Sequence, residues 1–206
     1  MTIYLIRHSD PQYGIDAAGR PLVYGPEAGI TAEGQVRAEA LAHYILEREH
    51  RGFDQLVISP LTRTQQTAAC FPMRNLLIED SRLRDTDNTW AGLPVEEFMK
   101  VYKTGRIFDH PRILETIDQI ADRMVAVFAD YAAGDGLIGF ISHGDTLRAL
   151  YYRLHHPASP FPSYPELIRL IDFGPAEALR LEWSPTGGVL SEEYIYNPLR
   201  KDEAHA

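Results

Sequence analysis

The sequence predicts an α/β fold, a three-layer α/β/α sandwich built around a mostly parallel central sheet. Two observations lead to this prediction. Short apolar runs bounded by turn residues, such as residues 3–6, have the length and composition of buried strands. Between them lie longer stretches whose apolar residues recur every three or four positions, as helices require. Strands that alternate with helices form a sheet covered by helices on both faces.

The first half of the chain contains two strand–helix units. Residues 3–6 form the first strand, and residues 9–29, which carry several Gly and Pro residues, form a long loop. Thr31 begins a helix, because its side chain can cap the N–H groups of the first turn. Residues 56–58 form a second buried strand, and a helix follows over about residues 61–70.

The second half continues this alternation. A third strand over residues 76–78 precedes an inserted, lid-like segment over about residues 79–112, in which Pro94 begins a short helix. Residues 137–141 form another buried strand, and Asp145 starts the helix after it. The clearest helical stripe of the chain is expected to be core, and it consists of Ile117, Ile120, Ala121, Met124, Phe128 and Tyr131.

The last quarter of the chain is predicted to be rich in strands. Three segments alternate apolar and polar residues, and turns rich in Gly and Pro separate them. These segments are residues 167–173, 178–183 and 189–195. We therefore expect one domain over residues 1–198 and a polar tail over residues 199–206.

Composition and charge restrict the classes of function. The net charge of −9 argues against nucleic-acid binding, which normally uses a basic face, and no apolar stretch is long enough to span a bilayer. The single Cys70 predicts a buried, inert thiol and a reducing, cytoplasmic compartment. An anionic substrate would need a local cluster of cations, because the overall field of the protein repels it.

Three predicted strands lead into basic residues. Arg7 and His8 follow the first strand, Arg63 lies one turn into the helix after the second, and His143 follows the strand over residues 137–141. Open α/β folds bind ligands at the carboxyl edge of the sheet, so we expect these four side chains to converge there. An Arg fork can clamp a phosphate and an adjacent His can attack it. The sequence thus predicts a phosphate site.

At this point the sequence resembles the histidine phosphatase superfamily, also called the phosphoglycerate-mutase-like family. Five segments between residues 3 and 148 match the motifs of the family in the family's order. They are Leu5-Ile6-Arg7-His8, Ile30-Thr31-Ala32-Glu33-Gly34-Gln35, Ser59-Pro60-Leu61-Thr62-Arg63-Thr64, Leu83-Arg84-Asp85 with Trp90-Ala91-Gly92, and Ser142-His143-Gly144-Asp145-Thr146-Leu147-Arg148. One such match would be weak evidence, whereas five in order are specific.

The resemblance implies a phosphohistidine mechanism that needs no metal and no other cofactor. His8 would be the catalytic nucleophile, with a backbone carbonyl bonded to its second ring nitrogen. Arg7 and Arg63 would bind the phosphoryl oxygens. His143, protonated beside the phosphate, would add a further donor and a positive charge. The spacing of His, Cys and carboxylate residues gives no convincing metal site.

The resemblance leaves two candidates for the general acid. Family members usually supply a Glu where this chain has Asp85, and the interval to Trp90 is one residue shorter than usual. We prefer Asp85 as the acid, with Asp87 as the alternative. Ser9 replaces a Gly of most members and either reaches the phosphate or fills a turn. Glu115 either orients an active-site group or is a plain carboxylate in the first turn of a helix.

These expectations favour a metal-independent phosphatase that hydrolyses small phosphomonoesters. The alternatives are a phosphoglycerate-type mutase, which must keep water from the phosphohistidine, and a non-catalytic phosphate-binding relative. The expected partner is a small phosphorylated metabolite, with neither nucleic acid nor membrane, and a homodimer is left open. Tyr13, Arg20 and Tyr24 of the long first loop are candidates for shaping the pocket.

Overall fold

A computed structural model describes residues 1–200 and confirms the predicted fold class. A six-stranded sheet is covered by helices on both faces. The strands are β1 (Thr2–Arg7), β4 (Phe53–Ile58), β5 (Met73–Glu79), β6 (Leu137–Ser142), β7 (Ala178–Ser184) and β8 (Gly188–Ile195), besides the short pair β2 (Gly14–Ile15) and β3 (Pro21–Leu22). The helices are α1 (Ala32–Glu49), α2 (Thr62–Ala68), α3 (Val95–Tyr102), α4 (Ile117–Tyr131), α5 (Gly144–His155) and α6 (Tyr164–Leu170). Most of the predicted polar tail, from residue 201 onward, lies outside the described residues.

The order of the strands brings the predicted strand ends together. The sheet runs β5-β4-β6-β1-β7-β8, in which β5, β4, β6 and β1 are parallel, β7 is antiparallel to β1, and β8 is antiparallel to β7. Arg7 at the end of β1 pairs with Ser142 at the end of β6, and Ile58 at the end of β4 pairs with Ile141. The carboxyl ends of β1, β4 and β6 therefore lie side by side at one edge.

Both faces of β1 are buried, which explains its unbroken apolar sequence. Ile3 and Leu5 contribute to the core between the sheet and helices α4 and α5. Tyr4 and Ile6 contribute to the second core, beneath α1 and α2. Successive side chains of a strand point to opposite faces, so each core receives every second residue. The alternation fixes the register of the strand that leads into His8.

One predicted strand is wrong. Residues 167–173 were expected to be extended, but the helix α6 covers Tyr164–Leu170. Ile171, directly after the helix, is extended, and residues 171–173 belong to no strand. The cause lies just upstream of the apolar run. Ser163 and Glu166 form a reciprocal capping box, and Pro165 stands in the first turn, where its missing N–H costs nothing. These start signals outweigh the alternating pattern.

The predicted insertion packs against α5 and α6 through a small core of its own. Ile107 is buried there with Tyr152, Tyr164 and Leu167. Helix α3 begins after Pro94, as the sequence predicts, but it has no fully buried residue. The lid-like behaviour of this segment remains a prediction.

Two further observations bear on the sequence analysis. Within residues 1–200, none of the helices is both long and apolar enough to cross a membrane. Cys70 is half-buried and not fully buried as expected, because it lies at the end of α2 beside Gln35. Burial still raises the pKa of its thiol, which favours the unreactive protonated form.

Candidate active site

The predicted site residues gather around one cavity at the carboxyl edge of the sheet. Arg7, His8, Arg63, Asp85 and His143 all line this cavity, whose volume is about 540 Å³. The side chains of Arg63 and His143 are almost fully buried, and His8 is 1% exposed. The sheet register explains the gathering, because the three strand ends are neighbours. Four basic side chains thus share one concave site.

The imidazole of His8 is held in a defined orientation. Its Nδ1 lies 2.7 Å from the backbone carbonyl oxygen of Ser9, which accepts the proton of that nitrogen. Nε2 then keeps its lone pair. Burial, His143 and Arg7 lower the pKa of His8 well below its ordinary value of 6.5, so the ring is neutral at pH 7. A neutral imidazole with a free Nε2 is the form that can act as a nucleophile.

His143 lies beside His8, with 5.1 Å between the ring centroids. Its Nε2 is 2.9 Å from Ser59 Oγ, and its Nδ1 is 3.3 Å from Arg63 Nη2, which can only donate. This arrangement fits a neutral ring with its proton on Nε2. Burial and the cations Arg63, Arg123 and Arg7 lower the pKa of His143 well below 6.5. The protein's own surroundings therefore oppose the protonated form expected from the sequence, because they already carry positive charge.

The two arginines are positioned by contacts that leave part of each guanidinium unused. Arg7 Nη1 donates to the carbonyl oxygen of Phe173 at 2.6 Å. Arg63 lies under the ring of Tyr24, 4.9 Å from its centroid, and Nη1 is 3.3 Å from the carbonyl oxygen of Gly25. The Nε atoms of Arg7 and Arg63 are buried and have no partner in the described part of the chain. Buried donors without acceptors are costly, so an anionic ligand would be stabilised here.

Asp85 reaches the site although Asp is one methylene shorter than Glu. Its Oδ2 accepts from Arg63 Nη2 at 2.7 Å and lies 3.5 Å from His143 Nδ1. The side chain is 27% exposed, so it stands at the mouth of the cavity and not beneath it. The loop that carries Asp85 therefore delivers a carboxyl group to the edge of the basic cluster.

The three further candidates occupy different positions. The Ser9 hydroxyl donates to the carbonyl oxygen of Gly34, near the start of α1, at 2.7 Å. The hydroxyl proton is therefore already used in a hydrogen bond within the protein. Asp87 is exposed and lines the cavity, with its backbone N–H bonded to Glu115 Oε1 at 2.8 Å. Glu115 is buried and precedes the helix cap Thr116, so it does not lie in the first turn of α4. It supports the loop that carries Asp85 and Asp87.

Arg123 on α4 completes this support, and the sequence analysis did not identify it. Its guanidinium binds Glu115 Oε1 and Oε2 at 2.6 and 3.0 Å. It also donates to the carbonyl oxygens of Arg82, Arg84 and Asp85. The sequence feature that could have indicated it is a charged residue directly before Met124 of the apolar helical stripe. The buried pair of Glu115 and Arg123 fixes the backbone of the loop.

Replacement of Glu115 by Gln is expected to lower the free energy of unfolding by about 3 kcal/mol, because Arg123 would keep a buried charge without its counter-ion. Urea unfolding would measure this change. Glu96→Gln is the matched control, since Glu96 pairs with Lys100 on the surface, where solvent screens such a pair and it contributes little to stability. Equal losses for the two variants would contradict the supporting role of Glu115.

The stability of the fold is expected to depend on pH through the two buried histidines. Both pKa values are lowered below 6.5, so below that pH the unfolded chain binds protons that the folded chain does not. The free energy of unfolding therefore falls as pH drops below about 6.5, by up to about 2.7 kcal/mol per pH unit for two such groups, and this contribution is constant above it.

Urea unfolding at pH 7.5 and pH 5.5 measures the effect. His8→Ala should reduce the slope by about half, while the surface variant His43→Ala should leave it unchanged. A slope identical in wild type and His8→Ala would contradict the assignment.

The first loop supplies aromatic residues to the cavity. Tyr13 and Tyr24 line it and contact each other, with ring centroids 5.3 Å apart. Tyr24 also faces the ring of His8 at 6.5 Å. Arg20, the third candidate from this loop, is absent from the cavity wall and pairs with Asp16 on the surface.

A metal ion has no evident protein ligands here. Across residues 1–200, His, Cys, Asp and Glu side chains nowhere form a group of three or more that could hold one. Positive charge at the site is instead supplied by guanidinium groups. The arrangement thus offers a neutral imidazole nucleophile, several anion-binding donors and a carboxyl group at the rim, which together suit transfer of a phosphoryl group.

Comparisons with known proteins agree with this geometry. The model of the histidine phosphatase superfamily (branch 1) matches residues 3–191. A comparison with curated proteins finds no match.

Solved structures share the fold at low sequence identity. A putative alpha-ribazole-5'-P phosphatase from Escherichia coli is 21% identical, with a TM-score of 0.70 over 95% of this chain and 95% of that chain. Phosphoserine phosphatase from Entamoeba histolytica, in complex with 3-phosphoglyceric acid, is 18% identical, with a TM-score of 0.70 over 96% and 98% of the two chains. Mycobacterial glucosyl-3-phosphoglycerate phosphatase is 19% identical, with a TM-score of 0.69 over 95% and 98%. At such identities the likeness establishes the fold.

Proposed function

The chain belongs to the histidine phosphatase superfamily, and on that premise we propose that it is a metal-independent phosphatase of small phosphomonoesters. The observation that carries the proposal is the state of His8. Its Nδ1 is bonded to a carbonyl oxygen, its pKa is lowered, and it shares a cavity with Arg7, Arg63 and His143. A neutral nucleophile among cationic donors is what attack on a phosphate ester requires.

In the first step, the lone pair of His8 Nε2 attacks phosphorus and the bond from phosphorus to the leaving oxygen breaks. Arg7 and Arg63 bind the phosphoryl oxygens, where charge is spread in the transition state. The phosphoryl oxygens take the place of Asp85 on Arg63, and the acid form of Asp85 then gives its proton to the departing oxygen, so an alcohol leaves and Asp85 becomes a carboxylate. The phosphoryl group is then held on His8, and its negative charge favours a protonated His143.

In the second step, a water molecule attacks phosphorus and the bond between phosphorus and Nε2 breaks. Asp85 takes a proton from this water, which restores the carboxylic acid. Inorganic phosphate leaves, and His8 returns to its neutral form. Asp85 lines the same cavity as His8 and is partly exposed, which supports both roles, because the acid must reach the leaving oxygen and then a water molecule.

The test is hydrolysis of 4-nitrophenyl phosphate in the presence of EDTA, combined with mass spectrometry after an alkaline quench, which preserves the acid-labile bond between phosphorus and nitrogen. We expect EDTA-resistant turnover and a mass increase of one phosphoryl group on the peptide that contains His8. Phosphate release without transfer to monophosphoglycerate separates the phosphatase from a phosphoglycerate-type mutase. Phosphate binding without turnover would instead identify the non-catalytic alternative.

The setting of this activity belongs to the same proposal. The net charge of −9 and the single Cys70 support a cytoplasmic enzyme that acts on a small phosphorylated metabolite and not on nucleic acid. The segment over residues 79–112 would act as a lid, since it supplies Asp85 and one wall of the cavity. The homodimer is kept as a hypothesis that a measurement of molar mass in solution would decide.

A further inference from the structure

Resting on the proposed function, we propose that the outer half of the cavity selects phosphomonoesters with an uncharged, apolar leaving group, foremost an aromatic ring, and that helix α3 is the element that determines this specificity. The basic cluster occupies the floor of the cavity, and α3 lines its wall. The substrate class follows from what α3 presents there and from which charges are absent.

Helix α3 has an apolar face that the rest of the protein covers only in part. Val95, Phe98, Met99 and Tyr102 recur at the spacing of one helix face. None of the four is buried, and all four line the cavity. Helix α4 shows the contrast, because most of its apolar stripe, including Ile120, Met124 and Phe128, is fully buried in the main core. An apolar face left partly open inside a phosphate-binding cavity calls for an apolar occupant, and the leaving group is the part of the substrate that lies there.

Aromatic side chains extend this face into a wall. Trp90 packs edge to face on Phe98 with ring centroids 5.5 Å apart, and Phe98 lies 5.7 Å from Tyr102. Tyr13 and Tyr24 line the same cavity from the first loop. Aromatic rings prefer such edge-to-face and offset contacts with one another, which favours a ring in the leaving group.

The charges outside the basic floor argue against a leaving group that carries a carboxylate. Arg148 lines the cavity, but Asp145 and Asp172 both pair with it. Asp87 adds a further negative charge to the wall. Among the described residues, Arg84 is the one further cation that lines the cavity outside the basic floor. Its side chain is 44% exposed and lies beside Glu115. A carboxylate would therefore lose hydration without gaining a buried counter-ion.

The space is sufficient for such a group. A volume of about 540 Å³ lies within the range of pockets that hold drug-sized ligands, about 300 to 1,000 Å³, and a phosphoryl group alone is much smaller. The cavity therefore holds the phosphate and a ring-sized substituent together.

Binding of three non-hydrolysable phosphonates by calorimetry tests the inference. We use methylphosphonate, benzylphosphonate and phosphonoacetate, which share the anionic head and differ in the attached group. We expect benzylphosphonate to bind about 30-fold more tightly than methylphosphonate, as burial of a phenyl ring predicts. Phosphonoacetate should bind no more tightly than methylphosphonate.

Variants locate the preference on α3. Phe98→Ala should weaken benzylphosphonate about tenfold and leave methylphosphonate unchanged. Met99→Ala, which is not part of the stack on Trp90, should weaken benzylphosphonate about threefold and guards against a folding defect in the first variant. Leu114→Ala is the control, because Leu114 lies just after the segment over residues 79–112, is 57% exposed and does not line the cavity.

The outcomes separate this inference from the proposed function. Equal affinities for methylphosphonate and benzylphosphonate, or tighter binding of phosphonoacetate, would overturn the inference even if the protein hydrolyses phosphomonoesters. A preference for benzylphosphonate that Phe98→Ala reduces about tenfold would uphold the inference even if no phosphohistidine forms. Loss of the preference in Leu114→Ala as well would assign it to the fold as a whole and overturn the role of α3.

Discussion

His8→Ala is expected to lower kcat for phosphomonoester hydrolysis at least about 10,000-fold, the scale of loss when a covalent nucleophile is removed. His8 is the proposed acceptor of the phosphoryl group, and its Nε2 is the nitrogen left free by the bond from Nδ1 to the Ser9 carbonyl oxygen. His143, the neighbouring imidazole, engages both of its nitrogens with Ser59 and Arg63. It is therefore poorly placed to replace His8. Steady-state hydrolysis of 4-nitrophenyl phosphate measures the loss.

The same variant should keep its affinity for phosphonates. Arg7 and Arg63 carry the positive charge of the site, and neither depends on His8 for a hydrogen bond. Retained binding of benzylphosphonate by His8→Ala would show that the site remains folded while the chemistry is lost. Turnover close to that of wild type would remove His8 from the mechanism. The surface variant His43→Ala provides the control for substitution of a histidine elsewhere.

Asp85→Asn is expected to act in two opposite directions. Turnover of alkyl phosphates should fall about 1,000-fold, because an amide cannot protonate the poor leaving group, whereas 4-nitrophenyl phosphate should lose only about tenfold. Inorganic phosphate should bind about tenfold more tightly, because the carboxylate that now pairs with Arg63 Nη2 at 2.7 Å no longer competes with it or repels the anion. Hydrolysis of ethyl phosphate and product inhibition by phosphate measure the two effects.

The same substitution at Asp87 decides between the two candidate acids. Asp87 is exposed and binds the supporting Glu115 only through its backbone N–H, so Asp87→Asn should leave the loop in place. If Asp85 is the acid, Asp87→Asn changes the ratio of alkyl to aryl phosphate turnover by less than about threefold. A loss confined to alkyl phosphates in Asp87→Asn would transfer the role to Asp87.

The sequence alone predicts most strands of the central sheet and the convergence of the basic side chains at one edge of it. Residues 3–6 are recognisable because a strand buried on both faces has an unbroken apolar run. His8 and His143 could be brought together by topology alone, since the ends of parallel strands meet at one edge. Helix starts were also readable where a cap was present, as at Thr31, whose side chain accepts from the N–H of Gly34.

The walls of the site could not be predicted because they depend on tertiary packing. The stripe from Val95 to Tyr102 reads as an ordinary core face, and only the fold shows that it borders a cavity. The contact between Glu115 and Arg123 joins a loop to a helix position outside the apolar stripe, and helical periodicity does not indicate such a contact. Residues 167–173 show a further limit, because local capping by Ser163 overrode an alternating pattern.

The two proposed reacting groups, His8 and Asp85, lie in parts of the fold that differ in local stability. This strand is hydrogen-bonded to β6 on one side and to β7 on the other, so its amides can exchange with solvent only when the sheet opens. The loop that carries Asp85 rests on side-chain contacts and a small satellite core. Hydrogen exchange should therefore be orders of magnitude faster around Asp85 than at Leu5. Substitutions in the segment over residues 79–112 can thus accumulate, and the leaving group that we propose it selects can change, while the proposed nucleophile His8 stays in register.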